Sequence, residues 1–320
     1  MRSLNNDQFD LLIASLRRDA FAIVEDAVPQ NILNQLLAIT ASPAANANCN
    51  DLNTVILGET QFFTNVIAYS KTVHDLILSP FVLNLCTAYL GDNCQLVNNR
   101  IQTTRVTGAM PWHTDNNLLS QGKLIGRHNM PGLQFVLYLT NVSAAPFQLI
   151  KDSHKWSLNY KNQYLLDSDI KASNYEVIEL NPSPGSLLIL NTHAFHRAAP
   201  IRNSNYMRSI LLFQADAISP DYPEHGEKLY VNPEFFSEAN PQIFSFLGFG
   251  RSRAFPAFPE TNIKTLNLKQ FAFLSLSILN AFPRLLFKKT IKRIISADSL
   301  AKFKIFSVFL NSRKASQKNS

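Results

Sequence analysis

Glycine is scarce, at ten residues in 320, which argues against a glycine-rich nucleotide-binding fold. Cysteine is scarcer: Cys49, Cys86 and Cys94 are the whole complement. Their number is odd and their spacing fits no zinc motif. A disulfide framework is not expected, and a reducing compartment is the simpler setting. The N-terminus, MRSLNNDQFD, lacks the basic-then-apolar layout of a signal peptide, so the chain is expected in the cytoplasm. The longest uncharged stretch of the apolar C-terminal region, residues 270–283, contains Asn280 and Pro283. It falls short of the ~20 residues a spanning helix needs, so a transmembrane helix is rejected. There is no internal repeat of fixed period.

What is present is a folding composition. Hydrophobic residues make up 46% and charged residues 17%, with 23 phenylalanines, enough for a sizeable core. The net charge of +7 is unevenly placed. Residues 261–320 hold twelve Lys or Arg and one acid, Asp298, leaving eighteen basic and twenty-two acidic residues in the first 260. The positive charge therefore belongs to the tail, and no nucleic-acid partner is expected for the chain as a whole.

Residues 7–40 read as helical, with Pro29 near the start of the second segment; the run FAIV at 21–24 fits an edge strand as well. A polar loop follows, and then a helical stretch over 70–90, broken at Pro80 and ended by Gly91. After Gly91 the pattern turns to short β-rich runs, among them QLVNNRIQTTRV, LQFVLYLTNV, FQLIK, YEVIEL, GSLLILNTH and RSILLFQAD. Strands gathered in the middle with helices before them predict a mainly β fold with flanking helices, a jelly-roll core. Residues 217–260, with six prolines, read as irregular covering structure. The expected division is a domain over 1–260 and an extension over 261–320.

Two segments carry chemistry. In MPWHTDNN, residues 110–117, His113 and Asp115 are two apart. Side chains at i and i+2 of a strand share a face, so an imidazole and a carboxylate could reach one metal ion; a polar pair on a loop is the competing reading. In residues 185–214 a strand, a histidine-bearing loop, a turn and a second strand follow one another, and His196 is the candidate third ligand. Two histidines and a carboxylate on one side of an ion leave open positions opposite, the arrangement of non-haem Fe(II) oxygenases. Arg208, twelve residues on, opens the next strand. Its planar fork suits a carboxylate of a dicarboxylic co-substrate, and an ordinary edge-strand arginine is the alternative. His193 lies three residues before His196, on the opposite face of an extended segment. His154 is expected to shape a turn, and His74, His128 and His225 to be surface or structural residues. Trp112, Asn116 and Asn117 could line a substrate pocket; equally, Trp112 could be core packing and the asparagines a turn.

In order along the chain come W-H-x-D at 112–115, S-H-K at 153–155, G-S-L-L at 185–188, F-H-R-A-A-P at 195–200 and Arg208 before an apolar strand, with F-A-I-V-E-D-A-V-P opening at Phe21. This ordered set resembles the phytanoyl-CoA dioxygenase family of Fe(II)/2-oxoglutarate oxygenases over roughly residues 10–217. The resemblance implies a cupin-like double-stranded β-helix, with iron on His113, Asp115 and His196 and 2-oxoglutarate on Arg208. It also implies a dioxygenase that uses O2 to hydroxylate a small organic or lipid-like substrate, with release of succinate and CO2. Asp115 at the carboxylate position counts against a halogenase. The chain departs from the family's pattern at Ala145–Pro146–Phe147–Gln148, at Lys151–Asp152–Ser153–His154 and at Ile201, all in substrate-facing loops.

The tail segment LLFKKTIKRII, within residues 284–295, mixes apolar and basic residues at helical spacing. Such a helix can lie on an anionic membrane surface or pack its apolar face on the domain. Two other functions compete with the oxygenase: a non-catalytic jelly-roll binding module that keeps a metal-like site, and a cupin-type metal-dependent isomerase or hydrolase, which has no use for Arg208.

Overall fold

The computed structural model describes residues 1, 4–42, 60–104, 110–115, 119–120, 123–124, 131–142, 145–156, 164–199, 206–218, 229–237 and 240–249, and isolated tail positions including 276, 279, 283, 298, 299 and 302. Helix α1 spans Asn6–Asp19. Asn5 and Gln8 cap its N-terminus reciprocally, at 2.9 and 3.2 Å, which satisfies donors that have no partner within the helix. It buries Leu12 and Leu16 and stops at Ala20, whose φ is +70°. The helical reading of 7–40 is thus interrupted. FAIV forms strand β1 (Phe21–Val24), paired antiparallel with a strand far along the chain, a partner that local propensity cannot reveal. Helix α2 (Gln30–Thr40) follows Pro29. The expected helical stretch over 70–90 is two helices, α4 (Lys71–Ile77) and α5 (Pro80–Leu90), after a single turn α3 (Val66–Tyr69). Pro80 stands in the first turn of α5, where its missing N–H costs nothing, and Gly91 ends that helix at φ +91°.

The other elements are β2 (Thr60–Thr64), β3 (Cys94–Thr104), β4 (Trp112–His113), β5 (Leu119–Ser120), β6 (Lys123–Leu124), β7 (Gly132–Tyr138), β8 (Phe147–Ile150), β9 (Tyr164–Leu165), α6 (Asp167–Ala172), β10 (Val177–Leu180), β11 (Leu187–Asn191), β12 (His196–Ala198), β13 (Arg208–Ala217) and α7 (Pro241–Phe246). One sheet has the order β1-β11-β7-β13-β3-β2, a second β10-β8-β12-β4-β9, and β5 and β6 form a separate pair. All pairings are antiparallel. From β3 to β13 the chain passes back and forth between the two large sheets, which is the double-stranded β-helix, or jelly roll.

The strands of the larger sheet serve two cores. On β7 and β13, Phe135, Leu137, Leu211 and Phe213 face the helices, and Phe135 and Phe213 stack with ring centroids 4.6 Å apart. Val136, Tyr138, Ile210 and Leu212 face the second sheet, with Leu188 and Leu190 of β11 and Phe147 and Leu149 of β8. Because both faces are covered, every residue of β13 is buried, and its sequence shows no apolar–polar alternation. Two local expectations are corrected. His196 does not lie in a loop but opens β12, a strand too short to leave a period-2 signature. Asp115 lies just past the end of β4 rather than on it. His128, His225 and residues 284–295, where a basic helix is expected, lie outside the described residues.

Candidate metal centre and cavity

His113 and His196 are direct cross-strand partners, the register of β4 on β12 placing one opposite the other. Their ring centroids are 4.6 Å apart. Asp115 reaches both: its carboxylate oxygens lie 3.8 Å from His113 Nε2 and 3.6 Å from His196 Nε2. One ligand atom from each of the three residues falls within 4.8 Å of the others. The backbone holds Asp115 in place, its N–H donating to Thr192 O at 3.2 Å.

The tautomers follow from the hydrogen bonds. His113 Nδ1 lies 3.0 Å from Pro111 O and His196 Nδ1 lies 3.0 Å from Ala194 O. A carbonyl can only accept, so each Nδ1 carries a proton, and Nε2 of each ring is the atom turned towards Asp115. This is the support that metal-binding histidines receive from their surroundings. The carboxylate is held likewise: Gln134 Nε2 donates to Asp115 Oδ2 at 2.6 Å. Phe147 stacks on the His196 ring, with centroids 5.4 Å apart. Two imidazoles and a carboxylate, turned towards one another, form a donor set that fits a divalent transition metal.

A cavity of about 100 Å³ lies between the sheets. His113, Asp115, His196 and Gln134 line it, as do Tyr138 and Arg208. Val136, Ile210, Leu212 and Phe147 supply apolar walls. Arg208, Ile210 and Leu212 line it because they alternate along β13, and Gln134, Val136 and Tyr138 do so along β7. Arg208 is 5% exposed and donates from Nη1 to Ala145 O at 3.0 Å. Burial pulls its guanidinium pKa down, while Tyr138 and Tyr206 push it up; an arginine nonetheless stays charged. Burial drives the Tyr138 hydroxyl far above its ordinary range, so it faces Arg208 as a neutral phenol.

His193 is outside this cluster, and its backbone N–H donates to Asn191 Oδ1 at 2.9 Å. Trp112 packs among Ile150, Leu165, Ile170 and Phe195, donates from Nε1 to Asp167 at 2.8 Å and lies under the Arg197 guanidinium; it does not line the cavity. Asn116 and Asn117 lie outside the described residues. His154 follows the positive-φ residue Asp152 in a 3-10 turn and pairs with Arg17 O at 3.2 Å. His74 is buried, edge-on to Phe235 and Phe236.

Sequence reasoning missed Gln134, Tyr138 and Tyr164. Gln134 had a signal, as the one polar side chain in GLQFVLY apart from the tyrosine hydroxyl. Tyr164 of β9 stands opposite His113, and burial, with the Asp115 charge, raises its pKa. Its two-residue strand gave no signal.

No curated protein matches the chain in sequence. Among solved structures, HygX from Streptomyces hygroscopicus, with nickel and 2-oxoglutarate bound, is 14% identical at a TM-score of 0.50, over 72% of this chain and 97% of HygX. The epimerase SnoN, in complex with Fe3+, alpha ketoglutarate and nogalamycin RO, is 12% identical at a TM-score of 0.50, over 68% of this chain and 88% of SnoN. The non-heme alpha ketoglutarate dependent carbocyclase SnoK from nogalamycin biosynthesis is 11% identical at 0.50, over 70% and 95%. At such identities the likeness is one of fold. The sequence match to a family is more extensive: the model for phytanoyl-CoA dioxygenase (PhyH) covers residues 16–210, and with more than half of its length matched, the chain belongs to that family.

Proposed function

We propose that the protein is an Fe(II)- and 2-oxoglutarate-dependent dioxygenase that hydroxylates a small organic or lipid-like molecule. The observation that carries this reading is the presence, in one cavity, of His113, Asp115, His196 and a buried Arg208. Iron would be held by the Nε2 atoms of His113 and His196 and by the carboxylate of Asp115. Arg208 would grip the distal carboxylate of 2-oxoglutarate. With O2, the bound metal and co-substrate would supply the oxidation, 2-oxoglutarate being converted to succinate and CO2 as one oxygen atom is inserted into a C–H bond of the substrate.

The chain's own residues prepare that chemistry. Pro111 O and Ala194 O engage Nδ1 of the two imidazoles, which leaves Nε2 of each as the atom that would bind the metal. Gln134 restrains one carboxylate oxygen of Asp115 and thereby its rotation. Arg208 is held by Ala145 O and walled by Ile210 and Tyr138, away from water, where a charge-assisted pair with a carboxylate is strong. The apolar walls limit the water that would compete for the open metal positions.

HygX binds hygromycin B, SnoN is an epimerase and SnoK a carbocyclase; hydroxylation is the outcome we infer for this chain. A non-catalytic module has no need of a buried arginine in the same cavity as the triad, and an isomerase or hydrolase has no use for one. The test is 2-oxoglutarate binding to the Fe(II)-loaded protein, followed by succinate release in the presence of candidate substrates. His113→Ala should abolish binding. Wild-type protein that takes up Fe(II) but not 2-oxoglutarate would overturn the reading. Turnover without 2-oxoglutarate that survives Arg208→Ala would assign the isomerase or hydrolase class.

A further inference from the structure

Residues 261–320 lie beyond the family match, which ends at residue 210. They hold twelve basic residues against one acid, while the first 260 residues are net negative. Two observations give this segment a place and a surface. Asp298 is tied to the catalytic body: its carboxylate accepts the backbone N–H of Asp167, and that of Ser168 at 3.2 Å, at the start of α6. Leu276 and Leu279 are helical and three residues apart, so they share a helix face, and they are 65% and 68% exposed. Beyond them the sequence runs LLFKKTIKRII, with Lys288, Lys289, Lys292 and Arg293 interleaved with apolar residues.

We propose that the segment from Leu276 to Arg293 is a membrane-surface anchor that seats the enzyme on an anionic lipid bilayer. Exposed leucines followed in sequence by a cluster of lysines match the two halves of such a surface, acyl boundary and charged headgroup. Nucleic acid would answer to the charge alone and gives no role to exposed leucines. The acidic body is repelled by the same surface, so contact is confined to the tail, and the tie at Asp298 transmits it to the domain. Asp167 also pairs with Arg197 of β12 at 2.9 Å and with Trp112 of β4, so the residue that holds Asp298 also contacts the two strands that carry His196 and His113.

The test is sedimentation of the full-length protein with vesicles of phosphatidylcholine alone and of phosphatidylcholine with phosphatidylserine. Binding is expected to the anionic vesicles, to weaken with salt, and to be near background on neutral ones. Each basic side chain near such a surface is worth roughly fivefold in affinity. Replacing Lys288, Lys289, Lys292 and Arg293 together by glutamine should therefore lower affinity by roughly several hundredfold. Leu276→Gln with Leu279→Gln should lower it about tenfold or more. Both variants should keep the wild-type melting temperature, which separates loss of the anchor from loss of the fold. Equal sedimentation with both vesicle types, or none with either, overturns the proposal. So does the case in which the basic variant loses retention on a DNA column while no form of the protein binds vesicles, which would assign the tail to nucleic acid.

Discussion

Replacing Gln134 by leucine tests whether the carboxylate of Asp115 is oriented for metal binding by its neighbour. Gln134 Nε2 donates to Asp115 Oδ2 at 2.6 Å, and Gln134 is itself buried on β7. A hydrogen bond to an ionised group is worth about 1.5–3 kcal/mol. The Asp115 side chain is 20% exposed, so water can replace part of what is lost, and the lower end of that range applies. About 1.5 kcal/mol is roughly tenfold in a binding constant, within the 10–100-fold range seen when groups supporting metal ligands are removed. The assay is anaerobic titration of the metal-free protein with Fe(II), with Co(II) as a spectroscopic surrogate. The expected result is a Kd for either metal raised about tenfold, with 2-oxoglutarate affinity at saturating metal unchanged. Metal affinity within a factor of about two of wild type would refute the reasoning, since the short contact would then have no hold on the carboxylate.

Other outcomes follow from single contacts. Arg208→Met should weaken 2-oxoglutarate by about 2–5 kcal/mol, the usual cost of removing one partner of a buried charge pair, while metal affinity stays near wild type; isothermal titration separates the two. Phe213→Ala should lower unfolding free energy by about 3–5 kcal/mol in urea denaturation, because Phe213 is fully buried against Phe135, and a loss under about 1 kcal/mol would contradict that packing. His154 is held below its ordinary value of 6.5, mainly by burial. A depressed folded-state pKa favours the neutral form, so its stabilising contribution is present above the unfolded value and lost as pH falls through the folded one. The melting temperature of wild type should therefore drop more steeply below that value than that of His154→Gln, and parallel curves would exclude the effect.

Much of the site was legible because its chemistry sits in short, dense motifs. His113 and Asp115 are two residues apart, and Arg208 opens an apolar run that is unmistakably a strand. What escaped notice depends on partners distant in sequence. FAIV reads equally as helix or strand until β11 pairs with it. Gln134 is an odd polar residue in an apolar strand until β4 brings Asp115 to it. Trp112, beside His113 in sequence, faces away from the cavity because neighbouring residues of a strand point to opposite faces.

Composition and pattern alone determined the fold class, the separate character of the basic tail, and the residue types able to bind a metal and a dicarboxylate. These are local properties: side-chain chemistry, strand periodicity and charge count. Only the tertiary structure decided that His196 stands across from His113, that both imidazoles present Nε2, and that Arg208 shares their cavity. Those facts depend on strand register between segments some eighty residues apart, and register is set by how two whole sheets pack, not by any one of the segments.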